Sequence, residues 1–192
     1  MSPILQSLAN GSARGYGAFF GAAAGPAFES IASATGSGVS TVTFSSIPAT
    51  YQSLHLRVFA LNPTTGGFRI RLNADTASAN YVTHDLIGDG ASVTAASYVT
   101  NTAGFRLIWS STSTTAGLPF ILDLHDYAST TKNKTARWFA GHDQNAGTTD
   151  GFVSLSSGLW LNTAAVNSIS VFSTAGNYLT GSTFALYGIK GA

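Results

Sequence analysis

From Val39 onward, the sequence is a succession of short runs in which apolar and polar residues alternate, with turn-forming residues between the runs. Successive side chains of a strand point to opposite faces of a sheet, so each run predicts a strand with one apolar face. About nine such runs are present, and together they require two sheets packed face to face. We therefore predict an all-β, jelly-roll-like antiparallel β-sandwich. The apolar positions are Val42 and Phe44; Leu54, Leu56 and Val58; Phe68, Ile70 and Leu72; Phe105, Leu107 and Trp109; Phe120, Leu122 and Leu124; Trp138 and Ala140; Val153 and Leu155; Ile169 and Val171; and Phe184 and Leu186.

The first 38 residues differ in character, because glycine and proline interrupt apolar and aromatic residues without helical or strand periodicity. We predict an irregular N-terminal arm over residues 1–38 and a β-sandwich domain over residues 39–192. An apolar segment without regular structure is unfavourable in water, so the arm either packs on another chain or folds back over its own domain. The residues expected to dock are Leu8, Tyr16, Phe19, Phe20, Phe28 and Ile31.

Charged residues make up only 9% of the sequence and the formal net charge is +1, whereas an average soluble domain carries roughly 25% charged residues. A surface covered by hydroxyl and amide groups lacks much of the charge repulsion that keeps monomers apart, which favours assembly. The few basic residues are dispersed, so we expect no nucleic-acid partner. The apolar stretch from Tyr16 to Phe28 is shorter than the ~20 residues that a membrane-spanning helix needs, so we expect no membrane partner.

Few residues could carry chemistry. The chain has no cysteine, which excludes disulfides and thiolate metal sites. Asp123 and His125 are two residues apart on one predicted strand and share a face, which is the spacing of a metal site on a sheet. An ordinary polar surface, with Asp126 and Arg137 paired across a hairpin, is the alternative that we favour. The sequence contains no Gly-x-Ser-x-Gly motif, and its single glutamate lies in the arm. We predict no catalytic residue, no metal and no cofactor.

Acidic and amide residues in the predicted loops offer one possible recognition surface. They are Asp89, Asp143, Asn145 and Asp150. Solvated turn formers are the simpler interpretation of such residues. Loops on a rigid sandwich nevertheless often carry recognition, and tryptophans such as Trp109, Trp138 and Trp160 could stack on sugar rings. A host surface glycan is therefore the alternative partner.

Several short motifs, in their order and spacing, resemble a known family. They are Phe28-Glu29-Ser30-Ile31-Ala32, Val42-Thr43-Phe44-Ser45-Ser46-Ile47-Pro48-Ala49-Thr50-Tyr51, Arg71-Leu72-Asn73-Ala74-Asp75-Thr76, Gly88-Asp89-Gly90, Asp126-Tyr127-Ala128-Ser129-Thr130-Thr131-Lys132-Asn133-Lys134, Ser157-Gly158-Leu159-Trp160 and Tyr187-Gly188-Ile189-Lys190-Gly191. Over nearly its whole length the chain resembles small structural proteins of tailed bacteriophages, including marine and cyanobacterial phages. The resemblance implies a virion component of the capsid or tail, and it supplies no catalytic residues.

Three functional hypotheses follow. In the first, the chain is a non-enzymatic virion protein on the exterior of the particle, either a capsid decoration (cement) protein or a tail-fibre module. Its arm docks on another virion protein, the sandwich points outward, and we expect a homotrimer. In the second, the chain is a receptor-binding module that recognises a host surface glycan through its loops. The third, a polysaccharide depolymerase, needs two positioned carboxylates, and the sequence offers no convincing pair.

Overall fold

The computed structural model describes residues 27–62, 66–99, 103–110, 113–143 and 151–191, and this part of the chain is almost entirely β. Its only helix is a single 3-10 turn, Ser78–Asn80. The strands are β1 (Phe28–Gly36), β2 (Thr41–Phe44), β3 (Ser53–Asn62), β4 (Gly66–Leu72), β5 (Tyr81–Gly88), β6 (Val93–Val99), β7 (Phe105–Ser110), β8 (Ser113–His125), β9 (Lys134–His142), β10 (Phe152–Trp160), β11 (Ile169–Ser173) and β12 (Ser182–Ile189). The predicted all-β antiparallel β-sandwich is confirmed.

Two antiparallel sheets form the sandwich. The large sheet has the order β1-β12-β3-β8-β9-β10-β5-β6, and the small sheet has the order β2-β11-β4-β7. Strands next to each other in space are often far apart in the chain, as in the β12–β3 and β11–β2 pairs. Among the described residues, no helix is long and apolar enough to cross a lipid bilayer.

The first strand corrects the predicted boundary of the arm. Strand β1 pairs with β12 from Phe28 opposite Ile189 to Gly36 opposite Ser182, with a register shift between Ser30 and Ala32. These residues therefore form an edge strand of the large sheet and not part of an irregular arm. Small residues such as serine and alanine dominate the strand, so its alternation of hydrophobicity is too weak to be recognised in the sequence. The other predicted docking residues, Leu8, Tyr16, Phe19 and Phe20, lie outside the described residues.

Buried aromatic rings join the two sheets. The Phe105 ring of the small sheet lies 5.3 Å from the Tyr81 ring and 5.8 Å from the Trp138 ring, both in the large sheet. Gly158 lies beneath Phe105 and Trp138, where a Cβ atom would approach the Phe105 ring to 2.6 Å. The absence of a side chain at this position therefore allows the sheets to approach each other closely.

Strand β10 has the opposite orientation to the one predicted. Val153 and Leu155 are 46% and 59% exposed, whereas Ser154 and Ser156 are buried. The same inversion occurs on the neighbouring strand β5, where Asp85 is buried and Leu86 is exposed. The expectation that Val153 and Leu155 face the core is therefore wrong. Alternation in a sequence shows that a strand has two different faces, but it does not show which face meets the other sheet.

Candidate functional site

The outer face of the large sheet carries an extended apolar surface, which strand register arranges in two rows. One row runs from Phe59 on β3 to Pro119 on β8, and then to Val153 on β10 and Val93 on β6. In the adjacent row, Ile121, Phe139, Leu155 and Leu86 follow one another on four neighbouring strands. We call these eight residues the apolar zone: Phe59, Leu86, Val93, Pro119, Ile121, Phe139, Val153 and Leu155.

The apolar zone is large for a surface feature. Seven of the ten large hydrophobic residues that are exposed in the described part of the chain belong to it. They expose roughly 700 Å² together, if a fully exposed large side chain contributes about 200 Å². The largest apolar patch of a typical monomer covers about 300–600 Å², and larger patches mark interaction sites. Arg57 is the single charged residue in the two rows.

A depression of about 970 Å³ occupies one side of the apolar zone. Phe59, Ile121 and Phe139 line it, and so do the charged residues Arg57 and Asp143. The Phe59 ring packs directly on Gly117, where any Cβ atom would overlap the ring. The depression therefore depends on glycine in its floor and has mainly apolar walls.

A row of polar side chains crosses the same face, next to the apolar zone and nearer the other end of the strands. Register places Tyr187, His55, Asp123, Arg137, Ser157 and His84 side by side on six adjacent strands. This row is the only concentration of titratable groups on the outer face, as far as the described residues show, so it is the candidate site for catalysis or metal binding.

In the polar row, His55 lies between Tyr187 and Asp123. Its Nδ1 lies 2.6 Å from a carboxylate oxygen of Asp123, and its Nε2 accepts a hydrogen bond of 3.2 Å from Nε of Arg57. Because an arginine only donates, the neutral His55 ring carries its proton on Nδ1 and donates it to Asp123. The Phe28 ring covers His55 edge-on at 5.5 Å, which explains why this histidine is buried on an outer face. The imidazole lone pair that a general base would use is occupied by Arg57.

The second histidine of the region is engaged in the same way. Nη2 of Arg137 lies 3.1 Å from Nε2 of His125, which must accept the hydrogen bond. The predicted pair of Asp126 with Arg137 is wrong, because Asp126 pairs with Lys132 at 3.1 Å and Arg137 stands opposite Asp123. The described residues contain no group of three histidine, cysteine or carboxylate side chains that could hold a metal ion.

The predicted loop residues are only partly described. Asp89 folds onto its own turn, where Oδ1 accepts hydrogen bonds from the N–H groups of Ala91 and Ser92 at 2.9 and 2.6 Å. The bond from Ser92 is the main cause of the lowered pKa of the Asp89 carboxyl. Asp143 is exposed at the end of β9. Asn145 and Asp150 lie outside the described residues.

Two of the tryptophans proposed to stack on sugars are unavailable. Trp138 and Trp160 are buried between the sheets. Trp160 donates from Nε1 to Asp75 at 2.7 Å, and Trp138 donates to the carbonyl of Leu107 at 3.2 Å. Both are therefore structural residues. The side chain of Trp109 is not among those described.

Two residues predicted to belong to the arm can be placed on the sheet. Phe28 is exposed on the outer face, with its ring against His55 and Tyr187. Ile31 lies at the irregularity of β1 and packs against the core. Of these two described residues, Phe28 is the one in a position to contact a partner, and it lies at the N-terminal end of β1.

The apolar zone was not predicted from the sequence, although the sequence contains a signal for it. Phe59, Ile121 and Phe139 occupy the positions of their runs that should be polar, since the residues on either side are buried. An apolar residue in both phases of an alternating strand indicates that both faces are covered. The three large side chains therefore distinguish β3, β8 and β9 from strands whose outer face meets only water.

Comparisons with known proteins add little. No protein-family model matches the chain, and no curated protein matches it. A solved protein of unknown function from Shewanella oneidensis MR-1 is 10% identical, with 82% of this chain and 69% of that chain covered and a TM-score of 0.18. An endo-beta-1,4-glucuronan lyase from the fungus Trichoderma reesei is 13% identical, with coverages of 85% and 90% and a TM-score of 0.20. Likenesses this weak carry no argument, and the resemblance to phage structural proteins stays a prediction.

Proposed function

We propose that this chain is a non-enzymatic structural protein of a tailed-phage virion, acting as a capsid decoration protein or a tail-fibre module. The observation that carries the proposal is the apolar zone, which extends across six of the eight strands of the large sheet and is suited to contact with another protein. A surface of this size is comparable to the roughly 800 Å² that each partner contributes to a stable interface. The motif resemblance directs the assembly function to a phage particle.

The hydrogen bonds of His55, in the polar row, and of His125, two residues from Asp123, support a function without catalysis. A histidine acting as general base needs a free ring nitrogen directed at the substrate. In both His55 and His125, Nε2 accepts a hydrogen bond from an arginine. The Asp123 carboxylate is likewise engaged with His55. The His55–Asp123 and Arg137–His125 contacts join neighbouring strands, and the Arg57–His55 contact lies within β3, so these side chains stabilise the sheet.

One observation favours the alternative, a receptor-binding module. The turn that carries Asp89 and the end of β9 that carries Asp143 lie at the same end of the large sheet, because Val153 is opposite both Gly88 and Gly141. A glycan array with the purified protein, together with adsorption to host cells, tests this function. Specific adsorption would favour it, and a decoration protein should show none.

The decisive experiment for the main proposal is to locate the protein on particles. We expect an epitope-tagged chain to co-purify with phage particles through a density gradient and to be labelled by gold-conjugated antibody at the capsid or tail. The double variant Phe139→Asp with Leu155→Asp should be lost from particles. Leu161→Asp, which changes an exposed leucine outside the apolar zone, is the matched control and should be retained. Absence of the wild-type chain from purified particles would refute the proposal.

A further inference from the structure

We propose that the apolar zone of one copy is the docking site for the N-terminal segment, residues 1–26, of a neighbouring copy. This inference deepens the proposed function, because it identifies a second copy of this chain as the first partner in assembly. The inference predicts the oligomeric state of the purified protein, so it can be tested without phage particles.

The composition of the N-terminal segment matches the apolar zone. Residues 1–26 contain no acidic residue and a single basic one, Arg14. Their large apolar side chains include Leu8, Phe19 and Phe20, interspersed with glycine and alanine. Small residues allow a segment to approach a sheet closely, and aromatic residues fit a depression lined by Phe59 and Phe139.

The direction of β1 favours docking on a neighbouring copy over docking on the same copy, because a segment that returned to its own sheet would have to reverse direction before Phe28. Strand β1 begins at Phe28, opposite Ile189, at the end of the sheet that carries Ser53 and His125. The apolar zone begins in the row of Ala185, four residues further along β12, and continues in the row of Thr183. These separations correspond to about 13 and 20 Å along the strand. The backbone of Ala27 still follows the ladder, since its carbonyl accepts from Lys190 N–H at 3.0 Å. The N-terminal end of β1 therefore lies at the end of the sheet far from its own apolar zone and is directed away from it.

The length of the segment suffices for exchange between copies. Twenty-six residues precede Ala27, and a fully extended chain of that length spans about 85 Å. A contact in which the segment of one copy occupies the zone of the next is heterologous, and such contacts close into rings when the rotation permits. The predicted homotrimer is one such ring.

Complementation between two variants tests this contact in the full chain, with mass measured by light scattering after size-exclusion chromatography. One variant, Phe139→Asp with Leu155→Asp, has a defective zone and an intact segment. The other, Phe19→Asp with Phe20→Asp, has a defective segment and an intact zone. We expect the wild type to be oligomeric, each variant alone to be monomeric, and an equimolar mixture to form a heterodimer of one copy of each. The control Leu161→Asp should oligomerise like the wild type.

Every other outcome overturns the inference. A wild-type monomer would show that the segment covers its own sheet or no sheet. Oligomers of the segment variant would show that two zones pack face to face. A mixture that stays monomeric would show that the two surfaces do not recognise each other.

Circular dichroism of each variant identifies unfolding, and the single substitutions Leu155→Asp and Phe20→Asp replace any double variant that unfolds. Retention of the chain on particles despite a monomeric purified protein would contradict the docking mode and leave the proposed function intact.

Discussion

His55 Nδ1 lies 2.6 Å from Asp123 Oδ1 on the neighbouring strand, and these residues are 68 positions apart in the chain. The hydrogen bond joins β3 to β8 on the outer face of the large sheet. The Asp–His geometry resembles the orienting half of a catalytic triad, but Arg57 fills the place where a nucleophile would stand. His55 and Asp123 therefore suggest an active site, but both ring nitrogens of His55 already form hydrogen bonds within the protein.

The tautomer of His55 is the first prediction. We expect the neutral ring to be protonated at Nδ1, because Asp123 accepts from that atom and Arg57 donates to the other nitrogen. Long-range proton–nitrogen correlation spectra of a labelled sample, recorded at a pH where the ring is neutral, distinguish the two nitrogens. A ring protonated at Nε2 would contradict this arrangement and would reopen the possibility of a catalytic base.

Lys134 is the basis of a second prediction. Its side chain is completely buried, and Nζ donates to the carbonyls of Ser129, Lys132 and Thr163 at 2.8, 2.6 and 3.0 Å. Burial lowers the pKa of this ammonium group, while the charge of Asp126 opposes that shift. Lys134→Met leaves three carbonyls without their donor, so we expect a loss on the order of 3 kcal/mol in the free energy of unfolding.

Chemical denaturation measures the effect of Lys134→Met, and Lys132→Met serves as its control. Lys132 is mostly exposed and forms a surface ion pair of 3.1 Å with Asp126. Its replacement should change stability by less than about 0.5 kcal/mol. Equal losses in the two variants would show that the buried ammonium does not crosslink the loops.

The sequence predicted the strands well because alternation is a local property. Runs such as Leu54, Leu56 and Val58 appear as predicted, with all three side chains buried. Whether a face is inner or outer depends on the whole sheet, so the inversion at Val153 and Leu155 could not be inferred from their own strand. The edge strand β1 was missed because it has few large apolar residues to alternate.

Contacts between distant strands were the least predictable part of the site. The expected pairing of Asp126 with Arg137 assumed a particular register after a hairpin. In the structure, β8 ends at His125, and Asp126 has a positive φ of 54°, which turns the chain into the loop. His125 is therefore opposite Thr135, and Arg137 is opposite Asp123. A residue with a positive φ at the end of a strand changes which residues face each other across the following hairpin. Composition alone does not reveal such a residue.

The buried Asp85 gives a third prediction. Neither of its carboxylate oxygens forms a hydrogen bond of good geometry, and it faces the core on an inverted strand. Burial raises the pKa of this carboxyl, and the nearby Ser156 hydroxyl and the charge of Arg106 offset only part of the effect. Since the folded pKa lies above the unfolded value, ionised Asp85 destabilises the fold at neutral pH, and this penalty disappears as the pH falls through the raised pKa.

Asp85→Asn should therefore stabilise the protein at pH 7, on the order of 1–3 kcal/mol, and the gain should shrink towards pH 4. Unfolding by denaturant at several pH values between 4 and 7 provides the measurement. A gain that does not change with pH would exclude titration of Asp85 as its cause.

Asp75 provides the opposite case and a fourth prediction. Burial alone would raise the pKa of its carboxyl, but hydrogen bonds from Asn80, Ala77 and Trp160 bring the pKa below its usual value. Two of these bonds, from Asn80 and Trp160, are 2.7 Å long. The stability that they supply is present above the unfolded pKa and is lost as the pH falls through the lowered pKa.

Asp75→Asn should thus destabilise the protein at pH 7, by about 1–3 kcal/mol, and the loss of stability should shrink in acid over the same series of pH values. This explanation is wrong if Asp75→Asn and Asp85→Asn change the free energy of unfolding in the same direction at pH 7.

The close approach of the two sheets at Gly158 gives the last prediction. A Cβ atom at this position would lie 2.6 Å from the Phe105 ring and 2.9 Å from the Trp138 ring, and both rings are buried. Gly158→Ala forces these rings apart, so we expect a loss of about 1–3 kcal/mol and a change in the near-ultraviolet circular dichroism of Trp138. Gly88→Ala on the adjacent strand is the matched control, because its Cβ atom would meet only Val153, at an ordinary 3.7 Å. That variant should unfold within about 0.5 kcal/mol of the wild type or be slightly more stable. If both variants unfold at the wild-type midpoint, the sheets are free to separate at Gly158, and the aromatic contact does not fix their spacing.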